Sequence, residues 1–272
     1  MKYEMLNGTK IAKIGFGTWR IGGGSTANLS KDARSLAALH SALELGYTHF
    51  DTAEIYADGH AEELLGRAIR DLNFPRESLF ITSKVDPANL RYKDVLNACT
   101  KSLRRLGMDY LDLYLIHWPS HSIPLDESFR ALNQLVREGR VRHVGVSNFN
   151  LRLLERARAE SETPLFTDQV PYSLADRSYV RKGVLEYCQK NDLLLTAYSP
   201  VKYLGWKRNS SLRAIAKAHN ATIYQIALAW LVSQQRVITI PMSFDPEHIT
   251  ENCAAAYIEL TDSEIEQLDQ LT

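Results

Sequence analysis

The chain has 272 residues, 45% of them hydrophobic and 24% charged, which provides for a full-sized core and excludes a disordered protein. Thirty-two Lys and Arg balance 32 Asp and Glu, so no global positive field recruits nucleic acid or an anionic membrane. No run reaches the ~20 apolar residues of a membrane span, and the start, MKYEMLNGTK, lacks the apolar stretch of a signal peptide.

Tyr3 to Leu6 and Lys10 to Ile14 flank Asn7-Gly8 and predict an N-terminal β-hairpin. Short apolar runs then alternate with helical periods. The strands are expected near 14–17, 47–50, 79–83, 111–116, 141–146, 165–169, 193–197 and 237–240. Helices are expected over 32–45, 61–71, 93–106, 126–138, 150–159, 178–190 and 222–234, followed by a last pair. Thr222 with Gln225, and Thr261 with Glu264, have capping-box spacing. Eight strands alternating with helices predict one (β/α)8 TIM barrel over residues 1–272, with short extra C-terminal helices. A doubly wound dinucleotide fold is disfavoured. Gly15-Phe16-Gly17 is followed by Thr18, Trp19 and Arg20, so the third glycine of that fingerprint is missing. Gly22-Gly23-Gly24 reads as a flexible first βα loop.

Nearly every predicted strand ends in a residue able to do chemistry: Asp51, Lys84, His117, Ser147 with Asn148, Gln169, and Tyr198 with Ser199. Strand eight is followed by Pro241, Met242 and Ser243. In a barrel these ends converge on one mouth, where active sites sit. Cys99, Cys188 and Cys253 are odd in number and widely spaced, which suits reduced, packed thiols and a cytoplasmic protein. None of the eight histidines is expected to pair with a carboxylate at ligand spacing on a helix, so no metal is expected.

The runs FDTAEIY, ITSK, LDLYLIHWP, VGVSNF, DQVPY, AYSP and IPMSFDPEHITEN resemble, in order from about Gly15 to the C-terminus, the aldo-keto reductases. The resemblance implies NAD(P)H-dependent reduction of an aldehyde or ketone, with NADP(H) held without a dinucleotide-binding fold. It implies a catalytic tetrad of Asp51, Tyr56, Lys84 and His117. Chemically, Tyr56 would be the general acid in reduction and base in oxidation. Lys84 would lower its pKa, Asp51 would keep Lys84 charged and aimed, and a neutral His117 would orient the carbonyl.

The resemblance also implies that Ser147, Asn148 and Gln169 hold the nicotinamide amide and that Tyr198 stacks on its ring. Backbone around Ser199, Val201 and Leu204 would line the pyrophosphate. Ile240 to Asn252 would carry the adenosine end, with Ser243 bonding a phosphate and Glu251 and Asn252 reading the adenine. Where the family commonly has a lysine and an arginine facing the 2′-phosphate, this chain has Met242 and His248. That departure predicts a weakened preference for NADP(H), with NAD(H) usable, at ~1–3 kcal/mol per lost charged contact. His248 would be free to stack on the adenine.

Trp19, Ile21, Tyr56, Trp118 and Tyr203 are expected to ring a substrate pocket. The short tail after the last helix predicts an open pocket that suits small carbonyl substrates in a monomer. The alternative is a binding or regulatory protein on the same fold, since potassium-channel β subunits resemble the same family. A barrel hydrolase is disfavoured, because no second strand end offers a carboxylate partner to Asp51 or Glu54.

Overall fold

The computed structural model describes residues 2–202 and 209–271. Two short strands, β1 (Tyr3–Leu6) and β2 (Thr9–Ala12), pair antiparallel around Asn7 and Gly8, both at positive φ as that turn requires. The second hairpin strand is thus displaced toward the N-terminus of its expected range.

Eight parallel strands follow: β3 (Phe16–Gly17), β4 (His49–Asp51), β5 (Phe80–Val85), β6 (Leu111–Ile116), β7 (Val141–Ser147), β8 (Thr167–Pro171), β9 (Leu194–Tyr198) and β10 (Val237–Thr239). They neighbour one another in chain order. Ile14 bridges Thr239 in parallel: the Gly15 amide donates to the Thr239 carbonyl and the Thr239 amide to the Lys13 carbonyl, which closes the barrel. The first barrel strand is shorter than its apolar run suggests. Gly17 is needed there: a Cβ would lie 2.7 Å from the Ile240 carbonyl oxygen.

The crossover helices are α1 (Asp32–Glu44), α2 (His60–Asp71), α3 (Tyr92–Leu106), α4 (Leu125–Arg137), α5 (Leu151–Glu160) and α6 (Val184–Lys190). They are completed by α7 (Ser210–Ala218), α8 (Ile223–Ser233), α9 (Pro246–Ala254) and α10 (Asp262–Asp269). Both capping boxes form, at Thr222 on α8 and Thr261 on α10. The helix expected over 178–190 begins only at Val184. Gly183 takes φ +85, which ends a 3-10 turn at 180–182 and restarts the helix. Helix α7 has no counterpart among the expected helices.

The core has two parts. One lies between the strands and the helices. The other fills the barrel floor, where Leu6 and Ile11 of the hairpin meet Phe80, Leu113, Leu115, Phe166, Leu194 and Ile238. The hairpin thus plugs the N-terminal end and leaves the other end for chemistry. Cys99 and Cys188 are buried, and all three cysteines are free thiols. Among the described residues, no helix is long and apolar enough to cross a membrane.

Candidate active site

Strand β4 ends at Asp51, and the chain then turns through a 3-10 segment, Tyr56–Gly59. Ala57, Asp58 and Gly59 all take left-handed backbone angles, and the Ala57 amide donates to the Gly24 carbonyl at 2.9 Å. The tripled glycine stretch is thereby laced to its neighbours; Gly22 also donates its amide to Ser35 Oγ at 3.0 Å. Non-glycine residues held at positive φ are costly and recur at functional sites. Here the turn places the Tyr56 ring over the mouth, edge-on to Trp19 at 5.1 Å and to His117 at 5.6 Å.

Lys84 on β5 lies beneath Tyr56 and is 0% exposed. Its ammonium donates to Asp51 Oδ1 (2.5 Å), the Thr52 carbonyl (2.8 Å) and Tyr56 Oη (3.2 Å). Three acceptors use all three donors of the group, so its charge is fully compensated. Burial works against that charge, but Asp51 and Tyr56 outweigh it and hold Lys84 above its ordinary value. For Tyr56 the balance runs the other way from the sequence expectation. Burial pushes the phenol up by more than Lys84 pulls it down, so the net shift is upward. The resting phenol is a protonated group next to a cation, not a phenolate.

His117 follows β6. Burial, then the Lys84 charge, lower its pKa to about 3, so the ring is neutral near pH 7. Its Nδ1 is buried with no partner among the described residues.

The remaining strand ends form one lattice. Gln169 donates its amide to Asp51 Oδ2 at 2.8 Å, and Ser147 Oγ donates to the Gln169 carbonyl at 2.8 Å. Asn148, at φ +65, donates to Ser147 Oγ (2.9 Å) and the His117 carbonyl (3.2 Å), and accepts from the Tyr198 hydroxyl at 2.9 Å. Each side chain is fixed by the next.

These groups line a cavity of about 580 Å³ at the barrel mouth. It brings together Asp51, Tyr56, His117, Trp19, Trp118, Ser147, Asn148 and Gln169 with Tyr198, Ser199, Val201, Ile240 and Met242. It also includes Thr18, Arg20, Ile55, Pro200 and Lys202, which sequence reasoning does not single out. Arg20 sits at φ +80, a conformation that no local signal announces.

Ile21 is not at the rim: it is fully buried in the core, at the close of a turn in which its amide donates to the Thr18 carbonyl at 3.0 Å. Ser243, His248, Glu251 and Asn252 lie beyond this cavity, on or just before α9. Ser243 Oγ accepts the Asp245 amide at 3.0 Å, and His248 is exposed. Arg34 of α1 extends over the ring of Phe244, two residues after Met242 in the chain, at 4.7 Å. Tyr203 and Leu204 lie outside the described residues.

Helix α2 departs from the histidine expectation. His60 and Glu63 do pair there, at 2.8 Å and three residues apart. No group of three or more metal-ligating side chains stands together among the described residues.

The family model of the aldo/keto reductase family matches residues 13–272. The chain is 39% identical over 266 residues to methylglyoxal reductase YeaE of Escherichia coli (strain K12), covering 96% of this chain and 90% of that protein. It is 35% identical to glyoxal reductase of Bacillus subtilis (strain 168), covering 98% and 91%. The thermostable aldo-keto reductase Tm1743, solved with the inhibitor epalrestat, superposes with a TM-score of 0.97 at 48% identity over the whole of both chains. An aldo/keto reductase of Klebsiella pneumoniae, solved with NADP and acetate, gives a TM-score of 0.89 at 36% identity, covering 99% and 95%.

A barrel mouth of this construction defines an oxidoreductase of the barrel type. The chain belongs to the aldo/keto reductase family.

Proposed function

We propose that this enzyme reduces small aldehydes and ketones, of the methylglyoxal class, with a nicotinamide dinucleotide and with Tyr56 as proton donor. The observation that carries the proposal is the continuous chain Gln169–Asp51–Lys84–Tyr56 that ends in a phenol at the cavity. The relatives named as methylglyoxal and glyoxal reductases supply the substrate class, and they favour turnover over a purely binding role.

The cavity suits the cofactor's nicotinamide end. Half-buried Tyr198 offers a ring face, pinned through its hydroxyl to Asn148. Gln169 Oε1 takes no donor among the described residues, and buried His117 Nδ1 is unsatisfied. Ser147 and Asn148 complete a polar cluster able to re-pair with a carboxamide. The bound dinucleotide would supply the hydride.

The rest falls to the chain. Neutral His117 orients the carbonyl oxygen beside Tyr56 Oη, and the Tyr56 proton passes to that oxygen as charge builds there. Lys84 stabilises the phenolate left behind, and Asp51 keeps Lys84 charged. Because Tyr56 is shifted upward, reduction is the direction it serves at neutral pH; oxidation needs it deprotonated and gains with rising pH.

For cofactor choice, the NADP-bound relative supports NADP(H). Met242 and exposed His248 weaken that preference and leave NAD(H) usable, while Arg34 beside Phe244 restores part of the missing positive charge.

The test is Tyr56→Phe. Reduction of methylglyoxal should fall by about 10²–10⁴-fold, while calorimetric affinity for NADPH stays within about twofold. Retained turnover in that variant would remove Tyr56 from the mechanism.

A further inference from the structure

His60 opens α2, four residues after Tyr56. Both of its ring nitrogens meet carboxylates: Nε2 lies 2.9 Å from Asp32 Oδ1 of α1, and Nδ1 lies 2.8 Å from Glu63 Oε2 of α2. Carboxylates accept and do not donate, so two such contacts require both nitrogens to carry protons, and the ring is an imidazolium. A cation at a helix N-terminus opposes the helix dipole. Its presence there points to a local demand that the two acids meet.

The ring also packs against the first βα loop. A Cβ at Gly22 would lie 2.8 Å from His60 Cδ2, so the absence of a side chain at Gly22 is what admits the ring. One residue before His60, Gly59 is similarly closed by Arg105 of α3, whose Nε pairs with buried Glu62 at 2.6 Å. The left-handed turn that carries Tyr56 therefore runs into an ionic seat built from α1, α2 and α3. The groups facing His60 are Asp32 and Glu63. Asp58 is exposed on the turn itself, and Glu62 is occupied by Arg105 and Ser83.

We propose that His60, bridging Asp32 and Glu63 through both ring nitrogens, is a positioning residue that holds Tyr56 over Lys84. The proposal rests on the reading of Tyr56 as the proton donor. When the ring loses a proton it keeps one N–H and gains a lone pair, so one of the two carboxylates loses its donor. The strained turn, 56–59, then loses part of its anchor, and Tyr56 loses its fixed distance to Lys84 and Trp19.

Burial works against the His60 charge, but Glu63 and Asp32 outweigh it and hold the group above its ordinary value. The stabilisation is thus fully present below the unfolded value near 6.5 and is lost as pH rises through the folded value. Burial pushes Tyr56 above its ordinary value, so the two groups are displaced in the same direction from different starting points, and the His60 variants tell them apart.

The experiment uses fluorine NMR of the full chain labelled with 5-fluorotryptophan, alongside steady-state reduction of methylglyoxal, from pH 6 to 9. The Trp19 resonance, identified by its loss in Trp19→Phe, reports the Tyr56 ring against it. In the wild type it should titrate above the ordinary imidazole value; in Asp32→Asn the transition should move to lower pH; in His60→Gln it should be flat. His60→Gln should lower kcat at pH 6 by about tenfold, with KM for the dinucleotide unchanged. The wild-type kcat should approach the variant's as pH rises.

A Trp19 resonance that ignores pH in the wild type, or a His60→Gln enzyme with wild-type kcat at pH 6, would overturn the proposal. Should His60→Gln fail to fold, the shifted transition in Asp32→Asn still decides. Activity surviving Tyr56→Phe would remove the proton-donor reading while leaving the Trp19 titration to report the anchor, so the two failures are distinguishable.

Discussion

The two ends of one barrel treat buried histidine in different ways. At the floor, buried His49 packs edge-on to Phe80 at 5.6 Å, and half-buried His143 stacks on Phe166 at 4.5 Å beside the hairpin. At the mouth, His117 faces Tyr56 and the cavity. Burial comes first in lowering both pKa values, to about 4 for His49 and about 3 for His117. At the floor that neutrality serves packing. At the mouth the same physics yields a neutral donor beside a cation. The additional depression of His117 comes from Lys84, whereas His49 is pulled partly back by Asp51. Burial alone does not distinguish the two rings; the charge each faces and the cavity beside His117 do.

The sharpest way to break this comparison is at the mouth. Lys84→Met leaves Asp51 buried without its cation and Tyr56 without its stabiliser. It should cost about 3–5 kcal/mol of stability by denaturant titration and about 10²-fold or more in kcat. A well-folded variant with near-normal turnover would contradict the assigned chain.

At the floor, Phe166→Ala should cost about 3–5 kcal/mol by the same titration, yet leave kcat within about twofold at low temperature. A comparable loss in kcat would mean the two ends are coupled.

Both buried rings should show in acid. The unfolded chain binds protons below about pH 6.5 that folded His49 and His117 refuse down to about 4 and about 3. Their joint contribution therefore falls as pH drops through that window, at up to about 1.4 kcal/mol per pH unit for each ring. His49→Gln should flatten the acid limb of a melting-temperature profile; an unchanged limb would assign it to other groups.

The smallest expected effect lies farthest from the chemistry. Arg34→Ala should weaken NADPH binding by about 1 kcal/mol and leave NADH binding alone. Equal losses for both would remove Arg34 from phosphate recognition.

Much of the mouth is legible in the amino-acid sequence. Each apolar run stops at a polar residue, and parallel topology sends every such stop to the same end. That logic reaches Asp51, Lys84, His117, Ser147 and Asn148. Tyr56 is reachable only through resemblance. Its place depends on three left-handed residues, Ala57 to Gly59, of which only the glycine advertises itself. Ile21 defeats the sequence expectation because it is buried in the core beside Arg20, whose φ is positive, and periodicity carries no such signal in a loop. His60 escapes sequence reasoning because its partner Asp32 is 28 residues away.

Sequence by itself determined the alternation of strands and helices, the hairpin, both capping boxes and the set of polar strand ends, since these follow from local periodicity and local hydrogen bonding. Tertiary structure decided which way the balance tips on Tyr56, which partner Gln169 takes and what His60 joins. Those outcomes depend on burial and on contacts between residues distant in the chain. Gln169 reaches Asp51 across 118 positions. Desolvation is a property of the closed barrel and of no segment within it.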